Sequence, residues 1–358
     1  MQETAQQSNH IEQKLLTIVQ QFLLSLGKKR QADALHLGAK LTEDLGIDSL
    51  GRVEVFHQIE DAFGVYLPES LLVEAQTLQE ILQALKTSGY TKKLVADVSF
   101  KELEETTLQP SQFKNLVEVL VKRGLKEPDR VHVYYQDEKG QTHPITYGEL
   151  LKKSAMVATH YHKLGFLPGE TVSIMLPTCP EFFYVFMGTM LAGLIPVPIY
   201  PPFRPDKIEE YALREVGILK NAQVRALVTW KQAEKLSALL KVFIPSLKHV
   251  LTADNLIQGE QKVPAVHLHG DSPAFIQYTS GSTSAPKGVL LTHDNLLANI
   301  RAITDKIQLK PTDIGVSWLP LYHDMGLIGV WLTSFYNAVP VVIMSPLSFL
   351  SRPERWLW

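Results

Sequence analysis

The sequence has very few cysteines and almost no net charge. Cys179 is the single cysteine among 358 residues, so no disulfide can form within one chain, and this content suits a reducing compartment. The formal net charge of −2 excludes the strong basic field that unspecific nucleic-acid binding requires. The first ten residues, MQETAQQSNH, contain no apolar signal core. We therefore expect a cytoplasmic protein with no nucleic-acid partner.

The sequence also lacks an uninterrupted membrane-spanning segment. Two long runs without charged residues, 182–203 and 325–351, are apolar enough to imitate one. The first run contains four prolines and the second contains two, which a continuous lipid-facing helix tolerates poorly. We predict that each run forms a buried helix followed by a buried strand, and that the chain has no membrane span.

Charge is distributed unevenly along the chain. Residues 1–90 contain 12 acidic and 7 basic residues, a net charge of −5, whereas the remainder contains 25 acidic and 28 basic residues, a net charge of +3. Within the acidic part, apolar residues recur at helical spacing over 11–26, over 49–63 and from Thr77 to Gly89. The pattern predicts an all-α helical bundle over residues 1–89 that folds as a domain of its own.

The rest of the chain has a different pattern. Residues 90–112 are charged and show no sustained period, which predicts a linker. From 113 to 358, helical patterns alternate with short β-rich runs at 171–176, 226–230, 249–253, 275–279, 316–319 and 341–344. This alternation is typical of an α/β domain with a largely parallel sheet. The chain is therefore predicted to be multidomain, with an all-α bundle followed by an α/β domain.

Three local patterns are candidates for function. In LTEDLGIDSL, 41–50, Asp48 and Ser49 begin a helix after a glycine-containing loop. The simple interpretation is a helix N-cap. A functional interpretation takes Ser49 as an exposed hydroxyl in acidic surroundings. The acidic residues around it are Asp44, Asp48, Glu54, Glu60 and Asp61. The bundle contains no other evident site.

The second pattern is YTSGSTSAPKG, 278–288, a hydroxyl-rich loop that ends on Lys287. It lacks the spacing of the P-loop G-x-x-x-x-G-K-[ST] and of the dinucleotide fingerprint G-x-G-x-x-G. A surface linker is one interpretation. However, the β-rich run FIQYT enters the loop, and GVLLTH, a strand or turn, leaves it before a helix. The loop is therefore fixed at both ends. Its backbone N–H groups, hydroxyls and single cation favour polyphosphate binding.

The third pattern is SWLPLYHDMGLIG, 317–329, in which His323 follows a short strand and a proline turn. An isolated histidine is usually a satisfied core residue. The end of a strand in an α/β domain is, however, where ligands bind. Asp324 either orients the His323 ring or is simply solvated.

Two resemblances give these patterns a function. Residues 11–88 resemble an acyl carrier protein domain, whose motif [D/E]-x-L-G-x-D-S-L is similar to the run from Asp44 to Leu50. The resemblance implies that a phosphopantetheinyl transferase attaches phosphopantetheine to Ser49. The thiol of the phosphopantetheine would bear acyl groups. It also implies that the acidic second helix is a docking surface for basic partner enzymes.

The stretch 278–288 resembles the signature of adenylate-forming enzymes, and PITYGEL (144–150) and MLAGLIPVPIY (190–200) resemble two earlier segments of that superfamily. The resemblance implies that ATP and Mg²⁺ are used, that Lys287 and His323 are catalytic, and that His323 lines the carboxylate and acyl pocket. No residue is assigned to the metal. The implied ATP-binding residues are Thr279, Ser280, Gly281, Ser282, Thr283, Ser284, Lys287 and Gly288.

Three further stretches, 201–214, 319–330 and 345–358, resemble fatty acyl-AMP ligases. Such an enzyme would activate a fatty acid with ATP and load it onto a phosphopantetheine thiol for a downstream synthase or carrier, in lipid, polyketide or lipopeptide synthesis. A long-chain acyl-CoA ligase is one alternative. A non-catalytic carrier with a truncated ligase body that serves as a scaffold is the other.

The resemblance also predicts the domain boundaries. Residues 1–89 would be the carrier, 90–112 the linker, and 113–358 the N-terminal part of an AMP-binding domain. The family's adenine, ribose and Mg²⁺ segments, and its small C-terminal subdomain with a second catalytic lysine, are not found. We therefore expect a fragment with a truncated large subdomain that makes no acyl-AMP at an appreciable rate on its own.

Overall fold

The computed structural model describes residues 2–87, 106–201, 208–234, 237, 240–263, 267–279 and 286–357. These residues divide into two compact units. The first unit contains the described residues up to 87 together with those from Leu347 onward, and the second contains the described residues between 106 and 346. None of the helices formed by the described residues has the length and hydropathy needed to cross a membrane.

The first unit is all-helical over its N-terminal part. The long helix α1 places Leu15, Val19 and Phe22 on one buried face and ends before Gly27, whose φ is +74°. The three predicted helices are confirmed as α1, α3 and α5, whereas α2 and α4 are too short to leave a periodic pattern. The helices are α1 (Gln2–Ser25), α2 (Lys29–Asp33), α3 (Ser49–Phe63), α4 (Glu69–Glu74) and α5 (Leu78–Thr87).

Two further helical pieces belong to the first unit. The helix α13 (Pro346–Ser351) continues from Leu347 in this unit, and a 3-10 helix (Pro353–Leu357) follows it. The predicted domain boundaries do not anticipate this grouping, because they place the whole of 113–358 in one domain.

The second unit is the α/β part of the chain. All six predicted β-rich runs form strands, and GVLLTH forms a strand rather than a turn. Its helices are α6 (Leu116–Lys126), α7 (Tyr147–Lys163), α8 (Pro180–Leu191), α9 (Ile208–Asn221), α10 (Ala253–Leu256), α11 (His293–Ile307) and α12 (Thr333–Asn337). Its strands are β1 (Val131–Gln136), β2 (Thr142–Thr146), β3 (Thr171–Ile174), β4 (Ile195–Pro198), β5 (Ala226–Thr229), β6 (His249–Thr252), β7 (Pro273–Thr279), β8 (Lys287–Thr292), β9 (Gly315–Ser317) and β10 (Val341–Met344).

The strands form two four-stranded sheets and one hairpin. One sheet has the order β2-β1-β10-β9 and the other has the order β4-β3-β5-β6. Every pair in these sheets is parallel except β1 with β2. The prediction of a largely parallel α/β sheet is confirmed. The hairpin β7-β8 is antiparallel and lies beside β4.

The two uncharged runs are buried, as predicted. In the first run, α8 is followed by β4, and both elements are buried along most of their length. In the second run, a π-helical segment (Met325–Leu332) and α12 precede β10.

The π-helical segment was not predicted. Helices of this kind are rare, and those that occur are often found at functional sites. Gly326 in it has no room for a side chain, because a Cβ there would lie 2.4 Å from the Pro320 carbonyl oxygen.

His132 anchors the π-helical segment in the core. Its Nδ1 lies 3.1 Å from the Ile145 carbonyl oxygen, and the Trp331 indole N–H donates to its Nε2 over 3.3 Å. These contacts require a neutral ring that carries its proton on Nδ1. Burial lowers the pKa of His132 to about 3, and burial likewise lowers the pKa of His293, at the start of α11, to about 4.

Candidate active site and carrier attachment site

Ser49 is the first residue of α3 and is exposed. The residue before it, Asp48, has extended backbone geometry, and its Oδ1 accepts a hydrogen bond from the Gly51 N–H over 2.8 Å. The capping role is therefore filled by Asp48. The Ser49 hydroxyl is left on the surface, where a modifying enzyme can reach it.

Buried residues on the same loop anchor it to the bundle and leave Ser49 exposed. Leu45 and Ile47 are buried in the core of the helical bundle, and Gly46 between them has a φ of +64°. A positive φ favours glycine, so the loop can turn between two anchored side chains. Leu50, next to Ser49, is 77% exposed. The loop thus presents a serine and an apolar side chain together at one end of α3.

The acidic surroundings of Ser49 differ in one respect from the expectation. Glu54 is exposed, as expected. Glu60 is only 7% exposed, and its Oε1 accepts a hydrogen bond from the Leu67 N–H over 2.7 Å. Glu60 therefore does not contribute to the exposed acidic surface, and that expectation was wrong. A helical spacing pattern cannot show that a carboxylate turns inward to a partner distant in sequence.

The hairpin β7-β8 carries the predicted phosphate loop. Its antiparallel register places Thr279 directly opposite Lys287 and Tyr278 opposite Gly288. Thr279, Lys287 and Gly288 are exposed at the end of the hairpin that leads into the loop. The predicted residues Ser280, Gly281, Ser282, Thr283 and Ser284 lie outside the described residues. The hydrogen bonds between β7 and β8 fix Lys287 opposite Thr279. Lys287 therefore has a defined position where the loop ends.

Gly288 makes room for the ring of Tyr278 across the hairpin. A Cβ at this position would lie 2.9 Å from the Tyr278 Cζ atom. The Tyr278 hydroxyl donates to Asn221 Oδ1 at the end of α9, and burial raises the pKa of this tyrosine. Gly288 therefore has a packing role that adds to any contact with a nucleotide.

Gln277 connects the hairpin to the His323 motif. It is buried on β7, and its Nε2 donates to the Tyr322 carbonyl oxygen over 3.0 Å. The Tyr322 ring meets Tyr200, after β4, edge to face, with 4.8 Å between the ring centroids. Strand β7, Tyr200 at the end of 190–200 and the stretch 317–329 thus meet at Tyr322. Sequence reasoning missed Gln277, although a glutamine inside an apolar strand was a visible signal.

His323 is an exposed residue rather than a satisfied core histidine. Its side chain is 67% exposed, and its Nδ1 lies 2.6 Å from Asp324 Oδ1. This close contact between the ring and the carboxylate means that Asp324 orients the ring. The Met325 N–H also donates to Asp324 Oδ1, over 2.8 Å, so the same carboxylate caps the π-helical segment.

The described residues contain no group of three or more His, Cys, Asp or Glu side chains placed to hold a metal ion. We therefore assign no described residue to Mg²⁺. The catalytic and ATP-binding roles of Lys287, His323 and the loop residues stay predictions.

The fold and the hairpin correspond to a known class of protein. Residues 120–358 match the family of AMP-binding enzymes, and residues 13–85 match the phosphopantetheine attachment site family. The chain therefore belongs to the AMP-binding enzyme family and carries a phosphopantetheine attachment domain in front of it.

Particular relatives are fatty-acid ligases. The chain is 29% identical to the medium-chain-fatty-acid–[acyl-carrier-protein] ligase JamA of Moorena producens, over 69% of this chain and 42% of that protein. It is 32% identical to the long-chain-fatty-acid–AMP ligase FadD26 of Mycobacterium bovis, over 69% of this chain and 44% of that protein. The chain thus spans less than half the length of these relatives.

Solved structures agree with this assignment. The L. pneumophila fatty acyl-adenylate ligase, solved in complex with acyl adenylate and pyrophosphate, matches with a TM-score of 0.59 at 30% identity, over 69% of this chain and 42% of that one. A structure from a study of the E. coli and L. pneumophila fatty acyl-adenylate ligases matches with a TM-score of 0.64 at 31% identity, over 70% and 45% of the two chains.

Proposed function

We propose that the protein activates a fatty acid with ATP to an acyl-adenylate and transfers the acyl group to phosphopantetheine on Ser49. The observation that carries this proposal is the hydrogen bond from Gln277 to the Tyr322 carbonyl oxygen, which joins the phosphate-loop hairpin to the His323 turn. The fatty-acid ligases among the relatives support the choice of substrate.

The first step would join the fatty acid to AMP. A carboxylate oxygen of the fatty acid attacks the α-phosphorus of ATP, the bond from that phosphorus to the bridging oxygen breaks, and pyrophosphate leaves. Both reactants are anionic, so fixed positive charge lowers the barrier. Lys287, exposed beside Thr279 at the end of the hairpin, would place its ammonium group on the pyrophosphate. Backbone N–H groups of 280–284 would also stabilise the negative charge of the pyrophosphate.

The second step would form the thioester. The pantetheine thiol gives its proton to water, the thiolate attacks the acyl carbonyl carbon, the bond to the AMP oxygen breaks, and AMP leaves. Ser49 would supply the attachment point, since it is exposed at the start of α3.

His323, oriented by Asp324, would lie beside the carboxylate that reacts in the first step. We propose Mg²⁺ as the companion of ATP but assign it no residue here.

The proposal is tested in a protein that carries this chain together with the remaining length of its relatives' ligase domain. We expect fatty-acid-dependent pyrophosphate release and a mass increase on Ser49 that equals phosphopantetheine plus the acyl group. Lys287→Ala should lower kcat/KM by about 10²- to 10³-fold, because it removes charge from the leaving group. Lys306→Ala, an exposed lysine on α11, is the matched control.

The alternatives give different products. Acyl-CoA formed from free CoA, with no acyl group on Ser49, would favour an acyl-CoA ligase. Absence of both pyrophosphate release and acyl-AMP would contradict the enzyme assignment and favour a carrier scaffold.

A further inference from the structure

The last residues of the chain fold with the carrier helices. Although 347–357 lies inside the stretch that matches AMP-binding enzymes, it belongs to the same compact unit as α1 to α5. Ser348 and Arg355 lie on its two short helical pieces and Arg352 lies between them, and all three residues are buried. A charged residue is rarely buried without a partner, so these arginines need acceptors.

Two carboxylates of the carrier supply those acceptors. Arg352 Nη2 lies 3.0 Å from Glu60 Oε1, and Arg355 Nη1 lies 2.9 Å from Glu69 Oε1. The relative exposures are 4% for Arg352 and 3% for Arg355, against 7% for Glu60 and 2% for Glu69. Both pairs are therefore shielded from water, unlike the exposed pair Lys40–Glu43 on the same unit.

Polar contacts satisfy further atoms of the pairs. The Ser348 hydroxyl donates to Glu69 Oε2 over 2.6 Å, so each oxygen of that carboxylate has a donor. The Arg352 guanidinium lies over the Tyr66 ring, 3.7 Å from its centroid. The imidazole of His57 contacts the Ser351 carbonyl oxygen. These contacts favour a particular partner, because a buried charge that loses its partner is strongly unfavourable.

The contact lies away from the attachment serine. Glu60 follows Ser49 by eleven residues on α3, which is about 16 Å along the helix axis at 1.5 Å per residue. Ser49 and Leu50 stay exposed at the other end of that helix. The segment can therefore hold the carrier without covering Ser49.

We propose that Glu60, Tyr66 and Glu69 form an arginine-binding face of the carrier, and that its occupant is the segment 347–357 of the same chain. The two arginines, separated by Pro353 and Glu354, are the recognition element. This face holds the carrier while Ser49 is free to be modified and loaded. The proposal concerns only this binding surface, so it does not depend on the ligase reaction.

The test is hydrogen exchange on the full 358-residue chain, without ATP or fatty acid. We compare Glu69→Gln, Arg355→Met and the double variant. Each single variant should raise amide exchange in 347–357 by at least about tenfold, because it leaves a buried charge without its partner. The double variant should exchange less than the product of the two single effects predicts, because it removes both charges. Lys40→Met and Glu43→Gln, singly and together, are the matched control and should change nothing.

The result can also contradict the proposal. Unchanged exchange in 347–357, or single effects that simply multiply, would show that the segment does not bind this face. If α1 and α5 also lose protection in the single variants, the variants have destabilised the whole unit. The double variant with reversed charges, Glu69→Arg with Arg355→Glu, then decides whether the pair itself matters. Recovered protection supports the face, and continued loss overturns it. Phosphopantetheine attachment to Ser49 should proceed at the same rate in all variants.

Discussion

The two candidate sites of this chain are assembled over very different distances in sequence. The carrier site is built from consecutive residues, in which Leu45 and Ile47 anchor the loop and Asp48 caps the helix that Ser49 begins. The candidate nucleotide site joins segments that include Tyr200, Gln277 and His323. A site made by one loop depends on local hydrogen bonds, whereas a site made by three segments depends on packing elsewhere in its unit. Three predictions test this difference.

The largest effect is expected for Gly326→Ala in the π-helical segment. The new Cβ would lie 2.4 Å from the Pro320 carbonyl oxygen and 2.9 Å from that of Leu319, so backbone must move. We expect a loss of about 3 kcal/mol in the free energy of unfolding of the second unit, measured by urea titration. Gly329→Ala is the matched control, since its Cβ would meet Met325 Cγ at an ordinary 3.8 Å. Equal stability of the two variants would show that the π-helical turn is not constrained.

A smaller effect is expected from pH, again in the second unit. Burial holds the pKa of His132 at about 3, below the unfolded value of 6.5, so the unfolded chain binds more protons between these values. The stability from the neutral ring is complete above pH 6.5 and is lost as the pH falls toward 3. Acidification from pH 6.5 to 5 should cost about 2 kcal/mol from His132.

His293, with a pKa of about 4, adds to the same loss. Unfolding free energies measured at several pH values check this prediction. In the His132→Gln variant the slope with pH should become shallower. A slope equal to that of the unchanged protein would show that His132 does not carry the effect.

The smallest effect is expected for Asp48→Ala in the carrier. It removes the hydrogen bond to the Gly51 N–H and should cost about 1 kcal/mol in the first unit. Asp48→Asn keeps an acceptor oxygen and should cost less. Thermal unfolding measures both, and intact mass after treatment with a phosphopantetheinyl transferase checks that Ser49 is still modified. A loss as large as that expected for Gly326→Ala would contradict the comparison of the two sites.

Much of the fold could be predicted because it depends on short-range patterns. Apolar spacing located α1, α3 and α5, and all six β-rich runs formed strands. The short helices α2 and α4 and the π-helical turn left no such pattern. For the sites, sequence indicated Ser49, Lys287 and His323 but not Gln277. It also counted Glu60 as exposed, although the structure buries it beside Arg352.

Sequence patterns were enough to predict the helix that begins at Ser49, the strands on both sides of the phosphate loop and the family to which the chain belongs. The folded chain was needed to show that Gln277 reaches the Tyr322 carbonyl oxygen and that Glu60 and Glu69 pair with arginines near residue 350. The physical reason is range. Caps, turns and periodic faces are formed within a few residues and leave a local pattern, whereas pairs 45 or 292 residues apart form only when the packed chain brings them together.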